Sequence, residues 1–261
     1  MTRRRWIADE FSDTHAALTG EHAAHLSRTL RARVGQEFEV ACGDQVRRAR
    51  VSEVSGDRVE FELGEELAAS EVLPITLMLA IFKFDRMEWA IEKCTELNVT
   101  AIVPVIARRT EKHLALAAGK RVERWRRIAR EASEQSRRTA PPEIADPIKL
   151  KDAITQCLPR SSNSVISTEG FSPSGETCFS SRAGLGIVLA ETERSLSLSD
   201  VLHAHDDIAS LALAIGPEGG WTDDELQSFT NSGWIAASLG DTILRAETAA
   251  IAALAIARTK F

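Results

Sequence analysis

Hydrophobic and polar positions follow two different rhythms, one on each side of residue 73. In the first 72 residues, short alternating runs such as Phe38–Val40 and Val59–Leu63 are separated by glycines, which is typical of strands with one buried face. A short helix is predicted over His22–Arg33. This segment therefore predicts a small β-barrel or sandwich.

From Pro74 onward, apolar runs alternate with helical segments. Buried strands are predicted at Ile75–Phe82, Thr100–Ala107, Ser164–Gly170, Gly184–Thr192, Leu211–Ile215 and Ile235–Gly240. Helices are predicted at Asp85–Val99, Ala117–Ser136, Trp221–Phe229 and Ala246–Thr259, the third with Thr222 and Glu225 as a capping box. Such alternation predicts an α/β domain with a parallel sheet, with residues 73–261 as the second domain.

Charge is distributed unevenly along the chain. The 261 residues carry a net charge of −6, yet residues 108–138 contain eleven Lys and Arg against four Glu. A basic segment in an acidic protein is the electrostatic footprint of a nucleic-acid-binding surface. A solvated helix face gives the same pattern, so both interpretations stay open.

Composition argues against several classes of protein. The four cysteines are scattered without a C-x-x-C pair, so neither a disulfide framework nor a metal site is expected. Apolar stretches are much shorter than the roughly 20 residues that span a bilayer. The first residues are basic but reach Asp and Glu before any apolar run, so we expect no secretory signal and a cytoplasmic location.

Three segments combine an apolar strand with a polar or glycine-rich turn: Gly186–Thr192, Ile215–Trp221 and Leu239–Ala250. Ligands bind beyond the carboxyl ends of parallel strands, so the three turns predict one composite pocket. Backbone groups and aliphatic side chains suit an adenine nucleoside better than a triphosphate. An ordinary tight turn would also explain the glycines, and neither a phosphate-binding loop nor a dinucleotide fingerprint is present.

The motifs MEWAIEKCTEL, ARRT, EASEQSRR, IGPEGGW and LGDTILRAETA, in this order and spacing, resemble the RsmE family over essentially the whole chain. Its members are bacterial S-adenosylmethionine-dependent methyltransferases that modify uridine N3 in small-subunit ribosomal RNA. The resemblance implies a SPOUT-type fold with a C-terminal trefoil knot, a PUA-like RNA-binding barrel over residues 1–72, and a homodimer.

The same resemblance implies where the site lies. The cofactor pocket falls on Leu189, Ala190, Glu191, Gly216, Pro217, Glu218, Gly219, Gly220, Leu239, Gly240, Ile243, Leu244 and Arg245. Arg245 and Arg109 are expected to orient the target base, with Glu247 holding Arg245. RNA contacts are expected from Arg28, Arg31, Arg33, Lys83, Arg86, Arg109 and Arg138. No residue stands out as a general base, although His113 is conceivable.

The chain departs from the family pattern at several positions. Phe84, Asn98 and Arg137 stand where the family commonly has glycine, and Asn98 is compatible with a left-handed helix end. Two other functions stay open. One is a methyltransferase that acts on transfer RNA or on a ribose hydroxyl, and the other is a non-catalytic RNA-binding factor for ribosome assembly.

Overall fold

The structure, a computed structural model, describes residues 5–43, 45–67, 73–157 and 183–261. The chain divides into two compact units. One comprises Met1–Glu71 and Arg126–Pro142, and the other comprises Val72–Trp125 and Glu143–Phe261.

The first unit is built around a six-stranded sheet in the order β1-β4-β5-β6-β3-β2. Its strands are β1 (Trp6–Ile7), β2 (Glu10–Phe11), β3 (His15–Thr19), β4 (Glu37–Cys42), β5 (Gln45–Ser55) and β6 (Arg58–Leu67). Helix α1 (Gly20–Ala24) continues as a π-helical turn over His25–Thr29. The predicted β-rich segment is confirmed, while the predicted helix over His22–Arg33 ends earlier, before Arg31, whose φ is 52°.

The second unit contains a parallel sheet in the order β10-β8-β7-β12-β11-β13, with β9 paired to β8. Its strands are β7 (Ile75–Ala80), β8 (Ala101–Ile106), β9 (Glu143–Ile144), β10 (Ile148–Lys149), β11 (Ala183–Leu189), β12 (Ile208–Ile215) and β13 (Ile235–Ala237). The helices after α1 are α2 (Phe84–Glu96), α3 (Lys112–Ala117), α4 (Val122–Gln135), α5 (Leu150–Cys157), α6 (Leu198–His203), α7 (Asp223–Asn231) and α8 (Ala246–Lys260).

Most predicted elements of this unit are confirmed. The predicted α/β class and parallel sheet agree with β7, β8, β11, β12 and β13 and with every strand pair in that sheet. The predicted helix over Ala117–Ser136 begins too early: α4 starts at Val122, and a 3-10 turn at Ala118–Arg121 joins it to the preceding α3. The predicted strand at Ser164–Gly170 lies outside the described residues.

From Arg126 onward, α4 belongs to the first unit. Arg130 donates from Nη2 to the carbonyl of Ile7 at 2.8 Å, and the same nitrogen lies 2.7 Å from a carboxylate oxygen of Asp9. The side chain of Glu134 is fully buried, with its carboxylate 3.1 Å from Nδ1 of His22. These polar contacts tie the end of α4 to the strands and first helix of the same unit.

The sheet of the second unit is closely packed where α7 lies against it. Trp221, Phe229 and Trp234 form a run of edge-to-face ring contacts, each with centroids 5.2 Å apart. Gly186 of β11 leaves room for this cluster, because a Cβ there would lie 2.8 Å from the Trp234 indole.

Because the strands are parallel, the carboxyl ends of β7, β8, β11, β12 and β13 all meet at one edge of the sheet. Among the described residues, no helix is both long and apolar enough to cross a membrane.

Candidate active site

A cavity of about 480 Å³ opens at the carboxyl edge of the parallel sheet. Three turns line most of it: the one after β11, the one after β12 and the one between β13 and α8. Lys83 and Arg86 come from the segment after β7, and Arg109 from the segment after β8. Such a volume is typical of pockets that hold a small organic molecule.

The structure brings nearly all the predicted pocket residues to this cavity. Those that line it are Leu189, Ala190, Glu191, Gly216, Pro217, Glu218, Gly220, Leu239, Gly240, Ile243, Leu244 and Arg245. Gly219 is instead turned toward Arg109, whose Cδ would lie 3.2 Å from a Cβ on that glycine. Glu247 is buried behind the lining, at 5% exposure. Arg28, Arg31, Arg33 and Arg138 belong to the first unit, where the first three are exposed.

The turn after β12 is folded tightly against its neighbours. The amide of Gly220 donates to the carbonyl of Pro217 at 2.8 Å, and the φ of Gly220 is 69°. A side chain at this position would be strained, and its Cβ would lie 2.7 Å from a carboxylate oxygen of Glu191. The glycine therefore allows the backbone of the turn to approach Glu191.

Helix α7 begins directly after this turn with the predicted capping box. The side chain of Thr222 accepts from the amide of Glu225, and Oε2 of Glu225 accepts from the amide of Thr222 at 2.8 Å. The other carboxylate oxygen of Glu225 accepts from the amide of Arg108 at 2.7 Å. Glu225 is 8% exposed and joins the segment after β8 to the first turn of α7.

Arg109 is held by the turn after β12. Its Nη1 donates to the carbonyl of Gly219 and, at 3.3 Å, to the carbonyl of Trp221. The neighbouring Arg108 points elsewhere: its guanidinium pairs with Asp224 at 2.8 Å, and both side chains are largely exposed.

Arg86 lies between two carboxylates. Its Nη1 is 2.8 Å from Glu218, and its Nε is 3.8 Å from Oε1 of Glu247. The sequence predicts that Glu247 holds Arg245, whereas in the structure the carboxylate of Glu247 lies beside the guanidinium of Arg86. The other oxygen of Glu247, Oε2, is buried and accepts no hydrogen bond from the described residues. A carboxylate so buried is unfavourable without a cation beside it, which Arg86 supplies.

Arg245 stands at the N-cap position of α8 with an exposed side chain. It borders the cavity next to Leu244, and the nearby Ile243 is 76% exposed. At this point the cavity edge offers the guanidinium of Arg245 and the apolar side chain of Ile243 to an incoming molecule.

Burial controls the ionisation of two described cysteines in the second unit. Burial raises the pKa of Cys94 to about 12 and that of Cys157 to about 11, so both thiols stay protonated near neutral pH. The described residues contain no group of His, Cys, Asp and Glu arranged to hold a metal ion. His113 is 72% exposed and lies 3.5 Å from a carboxylate oxygen of Glu111.

Three residues that replace family glycines have local explanations. Asn98 follows α2 with φ of 63°, so the predicted left-handed helix end is confirmed. Arg137 also has a positive φ, of 62°, and its guanidinium contacts the carboxylate of Glu39. The ring of Phe84 packs edge-on against Trp125. The guanidinium carbon of Arg121 lies over the same ring, 4.9 Å from the ring centroid.

Sequence reasoning missed several residues of the site. Thr192, Arg194, Asp223 and Asp241 also line the cavity. The sequence identifies Glu225 only as a helix cap, because the capping box is the only local pattern in which it takes part. Its bond to Arg108 joins residues 117 positions apart, and no local pattern predicts such a contact.

Comparisons with known proteins agree with this geometry. A family described as an RNA methyltransferase domain matches residues 69–258. The chain is 31% identical over 257 residues to ribosomal RNA small subunit methyltransferase E of Synechocystis, covering 98% of this chain and 77% of that protein. The Bacillus subtilis protein of the same name is 30% identical over 243 residues, covering 91% of this chain and 87% of its own length.

Solved structures resemble the whole chain as well. Ribosomal RNA small subunit methyltransferase E from Neisseria gonorrhoeae, bound to S-adenosyl methionine, has a TM-score of 0.77 and 29% identity, covering 98% of this chain and 97% of its own. A putative methyltransferase from Legionella pneumophila, in complex with the same cofactor, has a TM-score of 0.76 and 26% identity, with coverages of 99% and 98%.

Proposed function

This chain belongs to the RNA methyltransferase family that includes ribosomal RNA small subunit methyltransferase E, and from that premise we propose that it methylates N3 of a uridine in small-subunit ribosomal RNA, with S-adenosylmethionine as methyl donor. One observation carries the proposal: the three turns singled out in the sequence line a single cavity at the carboxyl edge of the parallel sheet.

The residues around the cavity fit S-adenosylmethionine. Leu189, Ile215 and Leu244 supply aliphatic surface suited to an adenine ring, and the turns supply backbone donors and acceptors. Glu191 and Glu218 supply negative charge suited to a ligand with an amino group and a sulfonium. When bound, the cofactor supplies an electrophilic methyl group.

The chain's own part in the reaction is to orient the base and stabilise charge. Uridine N3 carries a proton, and its loss leaves negative charge on the flanking carbonyl oxygens. A guanidinium near those oxygens stabilises that charge. Arg245 has this role in our proposal because its side chain is exposed beside the cavity, whereas Glu247 acts by holding Arg86 in place.

RNA binding extends beyond the cavity in this proposal. Lys83 and Arg86 meet the target strand at the cavity edge. Further contacts to RNA come from residues of the first unit, namely Arg28, Arg31, Arg33 and Arg138. The target base must be single-stranded or flipped out, because N3 is on its pairing edge.

The finer features of the fold belong to the same proposal. Residues 1–72 form a PUA-like RNA-binding barrel and residues 73–261 a SPOUT methyltransferase domain with a C-terminal trefoil knot. The six-stranded sheet of the first unit supports the barrel, and the parallel sheet of the second supports the SPOUT domain. The enzyme acts in the cytoplasm as a homodimer, and the alanine-rich α8 is suited to a closely packed subunit interface.

The test is methylation of purified small subunits, small-subunit RNA and transfer RNA with radiolabelled S-adenosylmethionine, followed by mass spectrometry of the nucleosides. We expect 3-methyluridine from the small subunit or its RNA. Product from transfer RNA, or methyl on a ribose hydroxyl, would show a different substrate. Cofactor binding without any product would favour the non-catalytic assembly factor.

A further inference from the structure

The Gly219–Gly220 peptide is the least constrained link in the turn after β12, because neither residue has a side chain that limits rotation. Its two polar ends are nevertheless both held. The carbonyl of Gly219 accepts from Arg109, and the amide of Gly220 donates to Pro217 at 2.8 Å. Since the carbonyl and the amide of a planar peptide point in opposite directions, the two bonds fix its orientation.

Arg109 also packs against this peptide. The Cδ of Arg109 lies 3.2 Å from the position of a Cβ on Gly219, so its aliphatic part covers that glycine. A second bond from Nη1 reaches the carbonyl of Trp221 at 3.3 Å. The arginine thus spans both sides of Gly220, whose backbone adjoins Glu191 in the cavity.

The backbone that carries Arg109 is itself anchored. The amide of Arg108 donates to the buried Glu225 at 2.7 Å, and Glu225 accepts from the amide of Thr222 at 2.8 Å. The amide of Ala107 also donates to the hydroxyl of Thr110 at 3.1 Å. Arg109 therefore reaches the turn from a base fixed to the start of α7.

We propose that Arg109 is a positioning residue whose guanidinium holds the Gly219–Gly220 peptide in the orientation that the cofactor requires. The proposal rests on the proposed function, and it gives Arg109 a different part from orienting the target base. Nη1 of Arg109 already donates to two carbonyls of the turn, so fewer of the N–H groups of its guanidinium remain for a uracil oxygen.

The first test does not involve the cofactor. In Arg109→Ala, the amide of Gly220 should exchange with deuterated solvent at least about tenfold faster than in the wild type, the scale of one hydrogen bond to a charged group. Arg108→Ala is the matched control: it removes the same charge one residue away, and it keeps the backbone amide that binds Glu225. Equal exchange in the Arg109 and Arg108 variants would overturn the proposal.

The second test measures affinity for S-adenosylhomocysteine by calorimetry, without RNA. We expect Arg109→Ala to bind about tenfold more weakly, Arg109→Lys to fall between it and the wild type, and Arg108→Ala to match the wild type. Thermal melting identifies any variant that fails to fold, and Arg109→Lys then serves alone. Unchanged affinity together with slower methylation would assign Arg109 to the target base and overturn the proposal.

The two proposals fail in different ways. If the wild-type protein neither bound the cofactor nor methylated RNA, the proposed function would be wrong. Deuterium exchange of the Gly220 amide would still show whether Arg109 holds the peptide. If Arg109→Ala exchanged like the wild type in an active enzyme, only the positioning role would fall.

Discussion

Arg245 is the cation we expect to affect chemistry without affecting cofactor binding. Replacing it by alanine should lower turnover by about two to three orders of magnitude, the scale of one lost electrostatic donor. Affinity for S-adenosylhomocysteine should change little. Lysine should restore only part of the activity, because it keeps the positive charge but lacks the planar guanidinium. Single-turnover methylation and calorimetry measure the two quantities. Weaker binding with normal turnover at saturation would make Arg245 a binding residue.

At the scale of single residues, the sequence predicts what depends on near neighbours. The capping box of Thr222 and Glu225 spans three positions, and the left-handed conformation of Asn98 follows from its place after a helix. The pairing of Arg86 with Glu247 joins positions that are far apart in the chain. Many cations and carboxylates could pair in such a sequence, so only the fold selects this pair.

At the scale of elements, the segment after α4 is attached to β4 by charge. Arg137 and Arg5 both contact Glu39, and hydrogen bonds from Arg137 are the main reason that the pKa of this carboxyl lies below its ordinary value of 4.5. The stability gained from this lowered pKa is fully present above about pH 4.5 and is lost as the pH falls through the folded-state pKa.

Replacing Glu39 by glutamine should therefore cost about 0.5–1 kcal/mol of unfolding free energy at pH 7, as partly exposed pairs do. The difference from the wild type should shrink toward zero in acid. Urea unfolding of both proteins between neutral pH and about pH 3 measures it. A difference that stayed constant with pH would mean that packing, and not charge, accounts for the effect.

The type of most elements could be predicted, but their arrangement could not. Buried runs such as Ile75–Phe82 and Leu211–Ile215 predict strands, yet nothing in them shows that β12 lies directly beside β7. The short strands β9 and β10 have two residues each, too few for any periodicity to appear. Strand order depends on side-chain packing across the sheet, which a single sequence does not reveal.

For the whole molecule, the uneven charge predicts that RNA affinity depends strongly on salt, because bound cations displace counterions from phosphates. The double variant Arg124→Glu with Arg127→Glu should weaken binding and lower the salt slope by about one for each lost contact. Lys149→Glu with Lys151→Glu, in β10 and α5, is a control with the same change of charge. Filter binding over a range of salt concentrations measures both quantities.

Equal effects of the two double variants would mean that general charge, and not the α4 surface, governs binding. Arg124 already lies 2.7 Å from Glu88, so part of its charge is neutralised within the protein. If neither variant changed the slope, α4 would be a solvated helix face and the RNA contacts would come from Arg28, Arg31, Arg33 and Arg138.

The pairing of β12 with β7 also affects how the chain folds during its synthesis. Ile75 of β7 pairs with Leu211 of β12, so a growing chain makes β7 long before one of its two neighbours exists. Until then β7 has an unpaired apolar edge, which is prone to aggregation unless it is covered. The turn that ends at Arg245 is made later still, so cofactor binding by a nascent chain would mark the time at which the sheet is complete.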